Sequence, residues 1–488
     1  MNNFYKNARE FWCENKVLIL IILLSLFIRA FFFYQTKPWE KEVIENRILV
    51  FDAIGYQTRA LGIFNTGTFS SMGVFRTPGY PLFIAFVYCL FGTKIWAVLL
   101  IQILLDVGTT VIVYFLAKIL FESKSISAIA AFLYSIDLLA ASNANAFLSD
   151  ILFTFVFALS ILAFICALKE KKTAYIILTG FFMGAATLIR PVLLYFSVIP
   201  IFVLLVDNSK SGRKALNIAA LLLTFAAVLS PWQFRNYRIY GHYALTNTGG
   251  LALLDFAGLL KSHIEGISQE EARKELLGFS AEQFDYPDDN TLIAQKQSKA
   301  KTYLEARDEL DSVPSNGGVD FDLFVESDIW RKISMQYITE HPVEYLRLHL
   351  KSAVNFFMGI GQTQIRDALR LKKIKQEDMN PSIFIGIGGE IRKLFRYSLD
   401  GYFIVPILLM ILLLEYIFLI IGGCGMFFRK EHRLYIIFFV LAISYFPAIT
   451  GLISYSRYRI PIIPLCLVLS AKGIFDTVCF FRKSKAMG

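Results

Sequence analysis

The sequence is short of everything that builds a metal or redox centre. It holds five histidines in 488 residues, and its six cysteines (13, 89, 166, 424, 466 and 479) show no CxxC spacing and no His-rich tract. Nearly all of these cysteines lie in or beside apolar runs, where a thiol packs as a small apolar group, so neither a disulfide framework nor a zinc site is indicated. No N-x-Ser/Thr sequon has a permitted middle residue, which favours a bacterial membrane over the secretory pathway. No internal repeat is visible, and charged residues make up only 18% of the chain. What takes their place excludes a soluble protein: 56% of residues are hydrophobic and the mean hydropathy is +0.54. The formal charge of +10 sits in short clusters beside apolar runs. That is the pattern of membrane-orientation signals and not of a nucleic-acid surface.

The apolar runs predict a polytopic α-helical membrane protein of about ten spans: 17–34, 95–117, 126–146, 147–168, 174–189, 192–206, 215–232, 401–423, 434–451 and 460–480. The first run is too long for a signal-peptide core and no small-residue cleavage site follows it, so it is read as an uncleaved span. Basic clusters flank the spans: Lys6/Arg9/Lys16, Lys118/Lys124, Lys169/Lys171/Lys172, Lys210/Arg213/Lys214, Arg429/Lys430/Arg433 and Arg482/Lys483/Lys485. The positive-inside rule assigns all six to the cytoplasm, together with both termini.

This assignment decides the role of "RTPGYPLFIAFVYCLFG" (76–92), which is apolar but short and opens with two prolines three residues apart. Residue 35 is outside, and the span 95–117 leads to the inside, so residue 94 is outside too. Only an even number of crossings fits between them, and one apolar run supplies at most one. The segment is therefore expected to lie on the outer face, its helix starting near Pro81. The competing reading is a short tilted span with another span miscounted.

The same parity places 233–400 outside as a mainly helical or mixed α/β domain between the transmembrane parts 1–232 and 401–488. Its helix-start signals are Ser268 with Glu271, Ser280 with Gln283, Ser327 before "DIWRKISMQYI", and Pro342. The helix from Pro342 repeats apolar residues at helical spacing and is expected to rest on the membrane. The stretch "DELDSVPSNGGVD" reads as a surface loop.

Charged residues near a bilayer face are costly unless solvated or paired, so their collection on the outer side is informative. Asp52, Tyr56 and Arg59 lie in the first outer loop, 35–94, and Arg76 precedes the prolines. Asp150 follows a polar "SNANAF" turn, and Arg190-Pro191 separates two spans. Arg235 leaves the seventh span, while Arg457, Tyr458 and Arg459 enter the last one. Each has a bland alternative: Arg457 and Arg459 as interface anchors, Arg29 as a snorkelling side chain, and Asp106, Asp137 and Glu415 as partners of neighbouring helices.

In order and spacing these segments resemble a known family. "Y..RALGIFNTGTFS...FRTPGYPLFIAFVYCLFG" (56–92), "LSDILFTFVFAL" (148–159), "GFFMGAATLIRP" (180–191), "PWQFRNYRIYG" (231–241) and "RYRIPIIP" (457–464) are similar to the GT-C glycosyltransferases that use polyprenyl-phosphate sugars. The relatives are the protein O-mannosyltransferases (glycosyltransferase family 39) and the lipid A aminoarabinose transferase. In 242–400 the match is poor beyond "HPVEYLRLHLK" (341–351). The resemblance implies a GT-C fold with juxtamembrane helices and a cavity at the outer face. It also implies a catalytic base at Asp52 and a second acidic cavity residue at Asp150. Some relatives carry an Asp-Glu pair where this chain has Asp52-Ala53, so no metal ligand set follows, although a divalent cation is left open. The implied partners are a polyprenyl-phosphate sugar donor, membrane lipid, and a glycan, lipid or protein acceptor.

The residues suit that chemistry. Transfer to a hydroxyl needs a base for its proton and cations for the departing phosphate, for which arginine's permanently charged fork is apt. One base without a nucleophile implies inversion at the anomeric centre. Two other readings share part of the inventory. An outer-face polymerase or ligase on pyrophosphate-linked glycans would use the arginines without an early-loop Asp. A lipid or sugar transporter would show repeats and mid-bilayer ionisable groups.

Overall fold

The computed structural model describes residues 2–69, 72–283, 320–361, 364–365, 368–369, 404–453 and 455–487. Among the described residues there is no β-strand, and seven helical segments are long and apolar enough to cross a membrane. The first is α1 (Asn2–Thr36). After a π-helical turn (Ile44–Ile48) come α2 (Asp52–Thr66), α3 (Gly79–Phe91) and α4 (Ile95–Phe121). At 13 residues, α3 is about 20 Å long, well short of a hydrocarbon core. It starts at Gly79, two residues before the expected Pro81, which falls in its first turn, where a missing N–H costs nothing.

The expected span 126–146 is not one helix. It is divided into α5 (Lys124–Ser135) and α6 (Leu138–Asn143), because Asp137 leaves the helical path and caps α6, accepting the Ala140 N–H at 2.7 Å. The bundle continues with α7 (Asp150–Glu170) and α8 (Thr173–Ile189). A 3₁₀ segment (Pro191–Ser197), α9 (Val198–Val206) and α10 (Ser211–Tyr240) follow. Helix α7 forms the centre and packs against α4 and α8, with stacked phenyl rings at Phe153 and Phe157 buried in the core.

The helices that follow α10 are α11 (Thr248–Glu265), α12 (Gln269–Gln283), α13 (Asp320–Glu340) and α14 (Pro342–Met358). Ser268 caps α12 as expected, accepting the Glu271 N–H at 3.1 Å. Ser280 and Ser327 do not open helices; each lies inside a longer one. Ser327 instead pins α13 to α11, accepting the Gly250 N–H at 3.1 Å, while a Cβ on Gly250 would lie 1.9 Å from the Ser327 carbonyl oxygen. Residues 308–319 of the expected surface loop lie outside the described residues. On α14, Leu348, Ser352 and Phe356 are buried on one face, and Val343, Leu346, Leu350 and Val354 are exposed on the other.

The chain closes with α15 (Ile404–Phe427), α16 (Arg433–Thr450), a 3₁₀ segment (Ser456–Ile462) and α17 (Ile463–Met487). Helices α15 and α17 cross where Gly422 and Gly473 meet. A Cβ on either would sit 2.0 Å from the other helix's backbone, so only glycine permits the contact.

The bundle has two chemically different ends. At one, Lys169 pairs with Glu122 at 2.6 Å and Lys171 with Asp207 at 2.7 Å, joining the ends of α4, α7 and α9. At the other end lie the start of α7, the end of α8 and the start of the last 3₁₀ segment.

Candidate functional site

The second end gathers the charged residues singled out from the sequence. Asp52 is the first residue of α2 and follows Phe51, whose φ of 50° is unusual for an L residue. Arg76 lies near the end of the irregular stretch after α2, and Arg457 lies in the 3₁₀ segment before α17. Arg76 Nη2 donates to Asp52 Oδ1 at 3.0 Å, and Arg457 Nη2 to Asp52 Oδ2 at 3.4 Å. Each carboxylate oxygen thus faces one guanidinium. Burial alone would push this carboxyl up, but the charges of Arg76, Arg457 and Arg190 outweigh it and hold its pKa at about 2.

Two aromatic rings set the guanidinium groups in place. Arg76 lies over Tyr56 at 4.6 Å, and Tyr56 packs edge-on against Tyr80 at 4.8 Å. Tyr458 lies 5.4 Å from Arg457 and 5.5 Å from Arg190, so one ring serves two cations. Arg190 pairs with Asp150, the buried first residue of α7, where the helix dipole favours a carboxylate. Pro191 holds the Arg190 backbone extended, which ends α8 at this point. Gly79 explains the glycine of "RTPGYP": a Cβ there would come within 2.6 Å of the Leu188 carbonyl oxygen. Thr77 Oγ1 also donates to the Ile189 carbonyl at 3.2 Å, so the Arg76 loop is stitched to the end of α8.

Three of the singled-out arginines point elsewhere. Arg59 donates to the Gly55 carbonyl at 3.0 Å, one turn back on α2. Arg235 donates to the carbonyls of Phe69 and Met72 at 3.0 and 3.3 Å, steadying the stretch that leads to Arg76. Arg459 is buried and donates to the Phe357 carbonyl and, at 2.9 Å, to the Tyr416 hydroxyl, tying the 3₁₀ segment to α14 and α15. In a three-residue turn, positions two apart face different sides, so Arg457 and Arg459 diverge.

Arg29 does not snorkel. It is fully buried and donates to Asp106 at 2.6 Å, with Tyr134 donating to the other carboxylate oxygen at 2.6 Å. Tyr80, Gln102 and Ser149, which sequence reasoning passed over, support the site from behind. The Tyr80 hydroxyl donates to Gln102 at 2.5 Å, and Tyr56 and Ser149 share a hydroxyl hydrogen bond of 3.2 Å. A tyrosine between two prolines and a glutamine inside a span were the available signals.

Among the described residues no group of three or more His, Cys, Asp or Glu side chains could hold a metal ion. Asp52 and Asp150 are both committed to guanidinium groups, and three cations around them would repel a fourth. Among the described residues these two carboxylates by themselves offer a divalent cation no complete ligand set.

Fold and site define a polytopic α-helical membrane protein with an arginine-rich, carboxylate-bearing site at one end of its bundle. Residues 76–234 match the family model described as dolichyl-phosphate-mannose-protein mannosyltransferase, so the resemblance read from the motifs is found again over that stretch. Asp52 and the Arg457 segment lie outside the matched residues. No curated protein matches the chain. Among solved structures, it is similar to the oligosaccharyltransferase AglB from Archaeoglobus fulgidus, solved with an inhibitory peptide and a dolichol-phosphate. The identity is 16% and the TM-score 0.49, over 98% of this chain and 52% of AglB. It is also similar to ArnT from Cupriavidus metallidurans bound to undecaprenyl phosphate, with 11% identity and a TM-score of 0.37, over 94% of this chain and 78% of ArnT. The chain thus spans about half the length of AglB.

Proposed function

We propose that this protein is an integral-membrane, inverting glycosyltransferase that moves a sugar from a polyprenyl-phosphate donor to a hydroxyl acceptor at the outer membrane face. The observation that carries this reading is the Asp52–Arg76–Arg457 cluster, at the bundle end opposite the lysine-rich loops. By the positive-inside rule the lysine-rich end is cytoplasmic, which turns the site outward.

In the proposed reaction the acceptor oxygen attacks the anomeric carbon while the bond from that carbon to the phosphate oxygen breaks. The electron pair leaves on the phosphate, giving polyprenyl phosphate, and Asp52 takes the acceptor proton. Asp52 suits the role better than Asp150 because its side chain is 41% exposed, against 3%. Arg76 and Arg457, with Arg190 beside them, receive the phosphate charge. The formal surplus of the cluster is one positive charge, from three arginines against two aspartates. A sugar phosphodiester brings one negative charge and balances it. A pyrophosphate-linked donor brings two, which disfavours the polymerase or ligase alternative.

Mass spectrometry of envelope glycans and polyprenyl-phosphate sugars tests the reading, comparing cells that carry the wild-type gene, no gene, or Asp52→Asn. The deletion and Asp52→Asn are expected to accumulate the same lipid-linked sugar and to lose the same glycan modification. Full complementation by Asp52→Asn would end the mechanism. Orientation is checked separately: Thr93→Cys should react with an impermeant thiol reagent in intact cells, and Ser209→Cys should not.

A further inference from the structure

Both oxygens of Asp52 are occupied by the very groups that a phosphate would need. A carboxylate facing two guanidinium groups is a poor proton acceptor, since an incoming proton competes with two cations. We infer that Arg76 and Arg457 are shared between Asp52 and the anionic group of the substrate. Before an anion arrives they hold the carboxylate; a bound phosphodiester takes them over and releases Asp52 to the acceptor hydroxyl. This rests on the assignment of the site to a lipid-phosphate donor and adds an order to it: the base becomes competent only after the donor is in place.

Three features of the site support the exchange. The cations are anchored and the carboxylate is not. Arg76 lies against Tyr56 and Phe75 (4.6 and 5.5 Å), and Arg457 against Tyr458 and Tyr455 (5.4 and 6.0 Å). Their side chains are 13% and 23% exposed, while that of Asp52 is 41% exposed. Asp52 also follows directly on Phe51 with its φ of 50°, a sparsely populated conformation of the kind found at sites where a side chain is aimed at a ligand. The third feature is the charge distribution. The charged and titratable groups around Asp52 are Arg76, Arg457, Arg190, Asp150, Tyr56 and Tyr458. Arg190 and Asp150 balance each other, so the surplus positive charge lies on the two arginines at Asp52. An anion entering the site is drawn to the pair that restrains the base.

The test measures binding of farnesyl methyl phosphate to the full-length protein in detergent. This diester lacks the second ionisation, near about pH 6, that phosphate monoesters show. With the competing carboxylate gone, Asp52→Asn is expected to bind the diester about tenfold more tightly than wild type, although it is inactive in transfer. Arg76→Ala and Arg457→Ala are each expected to bind it about tenfold more weakly, the usual consequence of losing a charge-assisted hydrogen bond. Asp52→Ser serves the same purpose should the asparagine variant misfold, with size-exclusion profiles as the check. Equal or weaker binding by the Asp52 variants, with the arginine variants impaired, would overturn the sharing alone. Unchanged binding in both arginine variants would instead remove the phosphate site, and with it the proposed function.

Discussion

Two arginine–aspartate clusters built from the same residue types occupy this molecule, and they are constructed in opposite ways. In the first, Arg29 and Asp106 are both 0% exposed. The Arg29 guanidinium also donates to the carbonyls of Ser25 and Ser135 at 3.2 and 2.8 Å, and Tyr134 takes the second carboxylate oxygen. Every strong valence is met by α1, α4 or α5, and nothing is left over for a ligand. In the second, Asp52 meets Arg76 and Arg457 with its side chain 41% exposed, and one of its two contacts stretches to 3.4 Å. A charge inside a bilayer must be satisfied internally, whereas one at the aqueous end can hold a looser partner and exchange it. Charge and residue type therefore do not separate scaffold from site; closure of the hydrogen-bond set does.

The strongest way to break this comparison is to remove one carboxylate from each cluster. Asp52→Asn is expected to reduce transfer by ~10²–10⁴-fold, the usual loss with a general base, and to leave the level of inserted protein unchanged. Asp106→Ala should act the other way. It strands Arg29 in the bundle, and breaking a buried pair typically costs about 3–5 kcal/mol, so little folded protein should reach the membrane. Normal amounts of an active Asp106→Ala protein would show that the sealed cluster is not structural. Replacing both partners, Arg29→Met with Asp106→Leu, should recover much of the lost stability, because no uncompensated charge remains. The equivalent exchange at Asp52 has no route to rescue, since an apolar residue accepts no proton.

A smaller effect separates guanidinium shape from charge. Arg457→Lys keeps the cation but loses the planar fork and its stacking on Tyr458. About a tenfold fall in transfer with unchanged thermal stability is expected in detergent-solubilised protein. An unaffected rate would mean that Arg457 contributes only its charge.

Much of this architecture was legible in the sequence, for physical reasons that can be named. Long apolar runs marked α1, α4, α7, α10, α15, α16 and α17, short polar breaks at apolar ends marked Asp150, Arg190 and Arg457, and the family resemblance singled out Asp52 in the first outer loop. Pro342 announced α14 because proline fits the first turn of a helix. What stayed hidden depended on contacts distant in the chain. Arg29 reads as a snorkelling side chain until Asp106, 77 residues away, is seen beside it. The break at Asp137 is hard to see by hydropathy, because one capping carboxylate divides a run in which apolar residues stand directly on both sides of it. Ser327 looks like a cap, and only the arrival of Gly250 shows that it joins two helices. Which arginines meet Asp52 is likewise a tertiary matter: Arg235 and Arg459 carry the same local signal as Arg457 but donate to backbone carbonyls and to Asn236 and Tyr416.

The smallest expected effect concerns acid and separates the exposed carboxylate's work from its structural weight. Asp52 is held at about 2 in the folded protein, below its ordinary value of 3.8. Its charge therefore favours the folded state fully above pH 3.8, and that contribution is lost as the pH falls through 2. The side chain is 41% exposed, so solvent and salt screen the interaction and the contribution is small. Wild type and Asp52→Asn should accordingly keep a narrow, constant gap in melting temperature from neutral pH down to about pH 4, using the ordinary carboxylate range. The gap should close only in stronger acid and should shrink when salt is added. A gap that opened wide at neutral pH would make Asp52 a structural anchor like Asp106. A gap that closed well above pH 4 would mean that Arg76 and Arg457 do not hold the carboxylate as described, and the contrast between a sealed and an exchangeable cluster would fall with it.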